Sequence, residues 1–560
     1  MNNIIELKIK GMTCDSCATH VSKALVSVKG VETVKINGWK SAHATVNLKE
    51  KTDSKELIDA VKKAGYGAEI DKEFVVEENK ISFPGNADYD LIIIGGGSAA
   101  FAAAIKASEL EKKILMINEG LPIGGTCVNV GCVPSKTLIR TAEAFHNINH
   151  TNFGSIKTGN SKLDFKTAIR QKTELVESLR QKKYIDILKD DPNVKIIKGR
   201  GKLTGKNSVT VDGRTYTSQY ILIATGSSTF IPDFHGLDKV PYLTNDTLYE
   251  LEELPQHIII IGGRYIALEN AQMLARLGAK VTVLQRSNRI LPDEMPDITE
   301  TLTDYLKEEG IEIKTGVKLE SIEKVNDKLI IKANVKDAAS PDSIGEEEII
   351  EGSHLFIATG RKGNTKNLGL EELAIETFGN GFIKTDEFLR TNVSDIFCAG
   401  DITGQNLFVY TAAYEGALAV GNMFGKKLTT KNYNPLPWVI FTDPQVAGVG
   451  HDENTAYTAG IDYEVSVMPL SEIPRSLAAR NTKGFIKLLR NKTDDTLIGA
   501  RIIASEGSEL LMEVSLAIKY GIKINELRQM FHPYLTLSEG IKLAAIGFDK
   551  DVNKLSCCAV

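Results

Sequence analysis

Six of the seven cysteines lie in three close pairs, numbered here in chain order: Cys14/Cys17, Cys127/Cys132 and Cys557/Cys558. The seventh, Cys398, stands alone in the apolar run IFCAG, which predicts a small core residue. Close thiol pairs in a reducing compartment indicate thiol redox chemistry or the binding of a soft metal ion. The adjacent third pair closes a structural disulfide poorly, because the eight-membered ring would be strained.

The composition limits the class of protein. The 560 residues, 42% of them hydrophobic and 25% charged, indicate a globular protein of several domains. A formal net charge of -5 gives no electrostatic reason to expect nucleic acid or an acidic membrane as partner. No apolar run reaches the roughly 20 residues of a membrane span, and the first residues lack a secretory signal pattern. We therefore expect a cytoplasmic protein whose thiols stay reduced.

The elements around the first pair predict a βαββαβ arrangement over residues 1–70. Strands are expected around IIELKIKG, VETVKI and HATVNL, and helices around ATHVSKALVSV and SKELIDAVKKAG. Cys14 then lies in the first loop and Cys17 near a helix start, where the helix dipole favours thiolate. Two such thiolates bind a soft ion such as Cu(I) or Hg(II), and a redox CxxC is the alternative.

The intact GMTCDSC motif in this frame resembles the heavy-metal-associated domain of copper chaperones and metal-transport ATPases. The resemblance covers residues 1–70 and implies soft-metal binding by Cys14 and Cys17. Residues 71–87 are mostly polar and contain Pro84 and Gly85, so we interpret them as a linker.

Two glycine-rich turns predict two dinucleotide-binding folds. In YDLIIIGGGSAAFAAAI a buried strand leads through a tight turn into a helix, and Gly95, Gly97 and Ala100 fit GxGxxA. The small residues let the backbone approach a pyrophosphate at the helix N-terminus. The next strand, in KILMINEG, delivers Glu119, an acid at the right distance for a ribose hydroxyl pair.

The second turn lies in HIIIIGGRYIALENAQMLARLGAKVTVLQRS, where Gly262 and Ala267 fit the ends of the same pattern. Arg264 replaces the second glycine, so its side chain either obstructs the pyrophosphate or contacts phosphate itself. The following strand ends without an acid but with Arg286, and Arg289 is close behind. Arginine here pairs with the 2′-phosphate of NADP, so the pattern favours NADPH over NADH.

Two such folds indicate two dinucleotides, a flavin and a nicotinamide. ILIATGS and LFIATGR are strands ending in similar turns, and DIFCAGD delivers Asp401 to the carboxyl end of a strand. Between them, GGTCVNVGCVPSK carries Cys127 and Cys132 into a helix predicted to begin near Pro134, which places the thiols within disulfide range. Lys136 on this helix would bring positive charge to the flavin. A zinc site is the alternative for the cysteine pair, without a second pair or histidine cluster nearby in the sequence.

With HPYLTLSEG near the end, these motifs make residues 88–560 similar to the pyridine nucleotide-disulphide oxidoreductase family. The resemblance implies an α/β fold with two Rossmann-like domains and an α+β dimerisation domain. FAD is expected on 88–245 and 363–436, NADPH on 246–362, and dimerisation through 437–560, which includes the third cysteine pair. The implied assembly is a homodimer whose partner subunit completes each active site.

The resemblance also implies roles for individual residues. Electrons would pass from NADPH through FAD to the disulfide, with Cys132 against the flavin and Cys127 facing the substrate. Lys136 would pair with Glu269 near the isoalloxazine, and Tyr265 would cover the nicotinamide pocket. The expected cofactor-binding residues are Gly95, Gly97, Ala99, Ala100, Glu119, Gly125, Thr126, Lys136, Gly201, Thr225, Gly226, Gly262, Tyr265, Ala267, Glu269, Arg286, Gly360, Arg361, Asp401 and Val409.

One segment departs from the disulfide reductases of this family, which carry His-Pro-Thr-x-x-Glu at the interface with histidine as acid and base. Aligning Thr536 and Glu539 to that pattern places Tyr534 at the histidine position, and His532 lies two residues earlier. Tyrosine has an ordinary pKa of about 10 and shuttles protons poorly near neutral pH, so disulfide reduction would suffer. Reduction of a metal ion needs no protonation of a leaving sulfur.

A soft-metal domain, a flavin-driven dithiol and a terminal dithiol together resemble the members of this family that reduce mercury(II). Small thiols or a mercury-carrying protein would deliver Hg(II), and the first pair would capture it. The third pair would pass the ion to the second pair of the other subunit for reduction to Hg(0), with Tyr265 and Tyr534 contacting or positioning the metal. Two alternatives are a thiol-disulfide oxidoreductase with a metal-binding appendage and a metal-trafficking protein whose flavin domain keeps the first pair reduced.

Overall fold

The computed structural model describes residues 3–13, 15–36, 38–49, 52–74, 87–159, 161–336, 345–551 and 554. The predicted metal ligands Cys14, Cys557 and Cys558 lie outside these residues. The chain divides into two compact units, Met1–Asn86 and Ala87–Val560. Of the helices within the described residues, none is both long enough and apolar enough to span a membrane.

The first unit has the predicted ferredoxin-like order of elements. These are β1 (Asn3–Lys10), α1 (Asp15–Val26), β2 (Val31–Ile36), β3 (His43–Leu48), α2 (Ser54–Lys63) and β4 (Gly67–Phe74). The sheet order is β2-β3-β1-β4, and both neighbours of β1 are antiparallel to it. Ile5, Leu7 and Ile9 alternate along β1 and are buried, because successive strand residues face opposite sides. Strand β4 runs to Phe74, beyond the domain end predicted at residue 70.

The second unit contains the remaining helices and strands. In chain order they are β5 (Tyr89–Ile94), α3 (Ser98–Glu109), β6 (Ile114–Asn118), α4 (Gly125–Val130), α5 (Cys132–Asn149), α6 (Phe165–Arg180), α7 (Asp186–Leu188), β7 (Val194–Lys198), β8 (Lys202–Gly205), β9 (Ser208–Val211), β10 (Arg214–Ile223), β11 (Ser227–Thr229), α8 (Asn245–Leu248), β12 (His257–Ile261), α9 (Tyr265–Leu277), β13 (Lys280–Leu284), α10 (Pro296–Glu308), β14 (Glu312–Lys314), β15 (Val317–Val325), β16 (Lys328–Val335), β17 (Glu346–Gly352), β18 (His354–Ile357), β19 (Arg361–Gly363), β20 (Ile396–Cys398), α11 (Val409–Phe424), β21 (Trp438–Ile440), β22 (Gln445–Gly450), α12 (Glu453–Thr458), β23 (Tyr463–Pro469), α13 (Pro474–Ala479), β24 (Phe485–Asn491), β25 (Leu497–Ala504), α14 (Gly507–Lys519), α15 (Ile524–Gln529) and α16 (Glu539–Ile546).

Two parallel sheets confirm the two predicted Rossmann-like folds. In the first, β7, β6, β5, β10 and β20 lie side by side and all pair in parallel. The second has the order β14-β13-β12-β18, also parallel. In each sheet the strand that precedes a glycine-rich turn lies at the point where the strand order reverses, which is where such sheets bind ligands. Cys398 ends β20 fully buried, as predicted.

An antiparallel sheet of order β21-β22-β25-β24-β23 forms the centre of the C-terminal part. Buried charges connect it to the second Rossmann-like fold. Lys487 on β24 is fully buried and donates to Asp297 on α10 at 2.7 Å and to Glu453 at 2.7 Å. A buried ammonium without such partners would be strongly destabilising, so these contacts fix how the two parts fit together. The boundaries predicted within residues 88–560 stay predictions, because these parts form one compact unit.

Helices α3 and α11 pack with their backbones in close contact, and one glycine allows it. A Cβ on Gly416 would lie 2.1 Å from the Ala99 carbonyl oxygen. The same helix contains Gly421, whose Cβ would meet nothing within 4 Å. Ala99, a predicted cofactor residue, is thus buried at a helix contact beside the first glycine-rich turn.

Gly416→Ala should therefore destabilise the protein by about 1–3 kcal/mol, since the added methyl forces α3 and α11 apart. Gly421→Ala is the matched control on the same helix, and it should be neutral or stabilising by up to about 1 kcal/mol. Urea unfolding of the two variants, followed by circular dichroism, measures the difference. Equal midpoints for both variants would contradict this packing.

Candidate active site

The second cysteine pair lies on two successive helices. Cys127 is in α4 and Cys132 opens α5, with Gly131 between them at φ −128° and ψ −112°. A Cβ on Gly131 would lie 2.9 Å from the Thr126 carbonyl oxygen, so the break requires glycine. The helix predicted to begin near Pro134 begins at Cys132, and Cys127 lies on a separate short helix that was not predicted. The break orients the two thiols towards each other without needing a full helical turn between them.

The two thiols are free, hydrogen-bonded to each other and electrostatically unequal. The pKa of Cys132 is lowered to about 7, chiefly because the Cys127 thiol donates a hydrogen bond to it and also because Lys136 is near; burial opposes both effects. The same hydrogen bond, together with burial, raises the pKa of Cys127 far above its usual range. The opposite directions of the two shifts favour Cys132 as the sulfur that loses its proton first.

The predicted ion pair between Lys136 and Glu269 is present. Lys136 Nζ lies 2.6 Å from Glu269 Oε2, and the carboxylate side chain is only 7% exposed. The backbone N–H of Phe441 donates to Glu269 Oε1 at 2.9 Å, and Lys136 Nζ lies 4.8 Å from the Phe441 ring centroid. Both carboxylate oxygens are thus satisfied, as a buried charge requires. The role of the pair towards a flavin remains a prediction.

Tyr265 is the first residue of α9 and lies one helical turn before Glu269, so the two residues share a helix face. Its ring stacks on Trp438, with centroids 5.7 Å apart and an interplanar angle of 25°. Burial raises the pKa of the Tyr265 hydroxyl well above its ordinary value, so the phenol is neutral. Ala267, in the same turn, is fully buried.

The first glycine-rich turn has the form of a phosphate cradle. Gly95 has φ +136°, and a Cβ there would lie 2.1 Å from the Ala224 carbonyl oxygen. A Cβ on Gly125 would lie 2.7 Å from the Cα of Gly97, so the segment before Cys127 touches the turn. Gly97 itself has φ −92° and would meet nothing closer than 3.7 Å. The protein alone does not require glycine at 97, whereas a pyrophosphate pressed against the backbone would.

Polar groups on neighbouring strand ends connect the two ATG turns to Asp401. Ser227 Oγ donates to Asp401 Oδ2 at 2.7 Å, and Arg361 donates to the Ser227 hydroxyl and carbonyl oxygens, each at 2.6 Å. The buried Thr225 hydroxyl oxygen has no hydrogen-bond partner within the described residues. A buried polar atom of this kind is expected to have a partner, and a bound dinucleotide would supply one. The other predicted cofactor residues are Gly226 (φ +69°), Gly360 (φ +114°), the buried Ala100 and Gly201, Thr126 in α4 and Val409 at the start of α11.

Glu119 directly follows β6, as predicted for the ribose-binding acid. Its Oε2 accepts from Arg200 Nε at 2.6 Å, and both side chains are about half exposed. The contact holds the carboxylate at the carboxyl end of the sheet. The glycine turn, the Thr225 hydroxyl and this acid together fit a bound dinucleotide.

The second glycine-rich turn has the same tightly packed first glycine as the first turn, but it has an arginine at the third position. Gly262 has φ +125°, and its Cβ would lie 2.3 Å from the carbonyl oxygen of Ala358, the counterpart of Ala224. Arg264 stands where the first turn has Gly97, is exposed, and forms an ion pair with Asp293. Arg286 is exposed and follows β13 after the buried Gln285, without an ion pair among the residues that the structure describes.

His532 and Tyr534, the residue at the aligned histidine position, have different surroundings in the structure. His532 Nε2 lies 2.7 Å from Glu513 Oε1, and the histidine side chain is 5% exposed. Tyr534 is 53% exposed, and the next residue, Leu535, has φ +62°. The His532 side chain is therefore buried and held by Glu513 of its own subunit, whereas Tyr534 is exposed.

The first pair can be described only in part. Cys17 lies in the first turn of α1, as predicted, and the Thr13 backbone N–H donates to its sulfur at 3.5 Å. Within the described ranges, no three His, Cys, Asp or Glu side chains form a metal-binding group. Cys14 and the third pair are outside those ranges, so metal binding by them stays a prediction.

Comparison with known families identifies the class of protein. The model for pyridine nucleotide-disulphide oxidoreductases matches residues 89–417, and the model for the dimerisation domain of these enzymes matches residues 436–545. A heavy-metal-associated domain model matches residues 6–67. The chain belongs to the pyridine nucleotide-disulphide oxidoreductase family, whose members use a flavin and a pyridine nucleotide.

Proteins similar to this chain include two mercuric reductases and a disulfide reductase of known structure. A mercuric reductase of Bacillus cereus is 40% identical over 560 residues, covering 99% of this chain and 86% of the relative. A mercuric reductase of Staphylococcus aureus is 38% identical, covering 100% of this chain and 99% of the relative. Among solved structures, the HOCl-induced flavoprotein disulfide reductase RclA from Escherichia coli is 27% identical with a TM-score of 0.72, covering 81% of this chain and 98% of RclA.

Sequence reasoning missed the residues that hold the site residues in place. Trp438, Ser227 and Phe441 act through tertiary contacts, and their neighbours in the chain give no sign of these. Arg200 could have been found, since it is a lone arginine just after a strand that runs beside the strand of Glu119. The Glu513 carboxylate that binds His532 lies 19 residues away, on α14.

Cys127→Ala should raise the pKa of Cys132 from about 7 towards the ordinary thiol value of about 8.5, because the thiolate loses its hydrogen-bond donor. Lys136→Met should raise the pKa of Cys132 by a smaller amount, because the lysine charge has a smaller effect on this thiol than Cys127 has. The measurement is the pH dependence of iodoacetamide alkylation of the reduced enzyme, with mass spectrometry to locate the label. Arg140→Met removes an exposed charge from the same helix and is the control, for which the midpoint should not move. An unchanged Cys132 midpoint in Cys127→Ala would contradict the assigned thiolate.

Proposed function

We propose that this protein reduces Hg(II) to Hg(0) with two electrons from NADPH, passed through FAD to the Cys127/Cys132 site. The observation that carries the proposal is the pair of free thiols, Cys127 and Cys132, the second of them one helical turn from Lys136, whose ammonium forms an ion pair with the buried Glu269 carboxylate. The full-length similarity to mercuric reductases supports the choice of metal. The balance is NADPH and Hg(II) giving NADP⁺, H⁺ and Hg(0).

The chain's own residues would bind and orient the ion. The Cys132 thiolate provides the first sulfur ligand, and Cys127 becomes the second when the soft ion displaces its proton. Lys136 keeps positive charge next to the thiolate, while Glu269 and the Phe441 amide hold Lys136 in place. A bound flavin would supply the redox chemistry that connects the nicotinamide to the metal. Thiolate exchange from the third pair to the second moves the ion without releasing it.

Disulfide reduction is the second candidate, because the solved structural relative is named a disulfide reductase. That reaction needs an acid at the departing sulfur. His532 is buried against Glu513, and the exposed Tyr534 is the residue at the aligned position. Metal reduction fits this arrangement better, with Tyr534 of one subunit as an oxygen contact to the metal and Tyr265 over the nicotinamide pocket.

The identity of the two cofactors, the oligomeric state and the delivery of Hg(II) are part of the same proposal. The turn geometry and Glu119 support FAD, and the exposed Arg286 supports NADPH over NADH. The match to a dimerisation domain supports a homodimer with shared active sites. Small thiols or a mercury-carrying protein would deliver Hg(II) in the cytoplasm, and the first cysteine pair would capture it there.

Arg286→Ala should raise the KM for NADPH by roughly 10- to 100-fold, the range for losing a hydrogen bond to a charged group. The KM for NADH should stay unchanged, because NADH has no 2′-phosphate. Steady-state oxidation of both nucleotides, followed by absorbance, gives the comparison. Equal effects on both nucleotides would show that Arg286 does not contact the 2′-phosphate.

The parent enzyme should oxidise NADPH when Hg(II) is added in excess thiol, and much more slowly with a small organic disulfide. Cys557→Ala/Cys558→Ala should keep the flavin spectrum and NADPH-dependent flavin reduction, yet lose most turnover of thiol-bound Hg(II). Cys14→Ala/Cys17→Ala is the matched control and should retain most turnover. Faster reaction with the disulfide would favour the second candidate, and full turnover by the third-pair variant would exclude the relay.

A further inference from the structure

Trp438 lies between the Tyr265 ring and the buried ion pair that Arg501 forms with Glu294. Its indole stacks on Tyr265 and lies over the Arg501 guanidinium, whose Cζ is 5.5 Å from the ring centroid. Arg501 is 4% exposed and donates to Glu294 Oε2 at 2.8 Å. Gly448 makes room for the indole, because a Cβ there would lie 2.4 Å from it. The indole therefore has little freedom to move away from Tyr265.

The segment that carries Trp438 holds the start of α9 at two points. Trp438 stacks on Tyr265, and three residues later the Phe441 N–H binds Glu269, one helical turn beyond Tyr265. The second contact is a hydrogen bond to a buried carboxylate. The first is a stack between two half-buried rings, and it is the weaker of the two. Tyr265 can thus move without disturbing the Lys136–Glu269 pair.

We infer that Trp438 is a positioning residue that holds Tyr265 in a closed position over the nicotinamide pocket. The inference rests on the proposed function for the use of NADPH and the place of Tyr265. Entry of the nicotinamide requires Tyr265 to leave the stack, so part of the binding free energy is spent in separating the rings. The adenine half of the cofactor meets no such barrier. Trp438 then sets how readily the pocket opens.

The test compares two ligands on the FAD-containing enzyme by equilibrium binding. Trp438→Ala should tighten NADP⁺ binding by roughly 2- to 12-fold, the range that an aromatic pair contributes. Binding of 2′,5′-ADP, which lacks the nicotinamide, should be unchanged. Trp438→Phe keeps a ring in the stack and should restore the parent affinity for NADP⁺. A general structural defect would change both ligands alike.

A spectroscopic readout uses the tryptophan itself. The chain has two tryptophans, and Trp39→Phe in the first unit leaves Trp438 as the only tryptophan, whose emission can be excited selectively at about 295 nm or above. NADP⁺ should change this emission in a saturable way, whereas 2′,5′-ADP should not, and Tyr265→Ala should abolish the change. Unchanged or weaker NADP⁺ binding in Trp438→Ala, an equal shift for both ligands, or constant emission on NADP⁺ binding would each overturn the inference. Failure of the parent enzyme to bind NADP⁺ would refute the proposed cofactor, and the inference with it.

Discussion

The ion pair between Lys136 and Glu269 is the contact on which the arrangement of the active site depends. A carboxylate that is 7% exposed needs a cation and further hydrogen bonds, or burial would strongly disfavour its charge. Its two partners come from the cysteine helix and from the segment that begins the C-terminal sheet, while Glu269 itself belongs to the second Rossmann-like fold. Three parts of the chain therefore meet at one buried charge. Their relative positions are fixed where the chemistry takes place.

The same pair balances the electrostatics of the thiols. Lys136 lowers the pKa of Cys132, whereas Glu269 raises it, so the carboxylate moderates the cation that it holds. Lysine alone would stabilise the thiolate more, but an unpaired side chain in a partly buried site would have no fixed position. The hydrogen bond from Cys127 supplies the larger effect and makes the two sulfurs unequal. A single thiolate with a neutral thiol beside it suits stepwise ligand exchange with a soft ion.

The sequence predicted those features that are local in the chain. Strand, turn and helix around Gly95 and Gly262 follow a pattern that short-range sterics impose, and the ferredoxin-like order follows from alternation and helical periodicity. The Lys136–Glu269 pair was predicted only through resemblance, because its partners are 133 residues apart. The break at Gly131 was missed, since a glycine between two helical patterns does not reveal whether the helix continues through it. Trp438 was missed because a lone aromatic residue in a short apolar run does not indicate what it will stack on.

A comparison of the two glycine-rich turns explains why the second turn accepts an arginine, Arg264, at its third position. In both, the first glycine is required by the protein itself, because a carbonyl oxygen lies just over 2 Å from where a Cβ would be. At the third position of the turn they differ. Gly97 is covered by Gly125 from the cysteine segment, whereas Arg264 extends into solvent and pairs with the exposed Asp293. The redox segment thus lies against the first turn, and Gly125 must itself be glycine there because its Cβ would meet the Cα of Gly97. At the same position of the second turn the Arg264 side chain is exposed, so a long side chain fits as long as it lies outward.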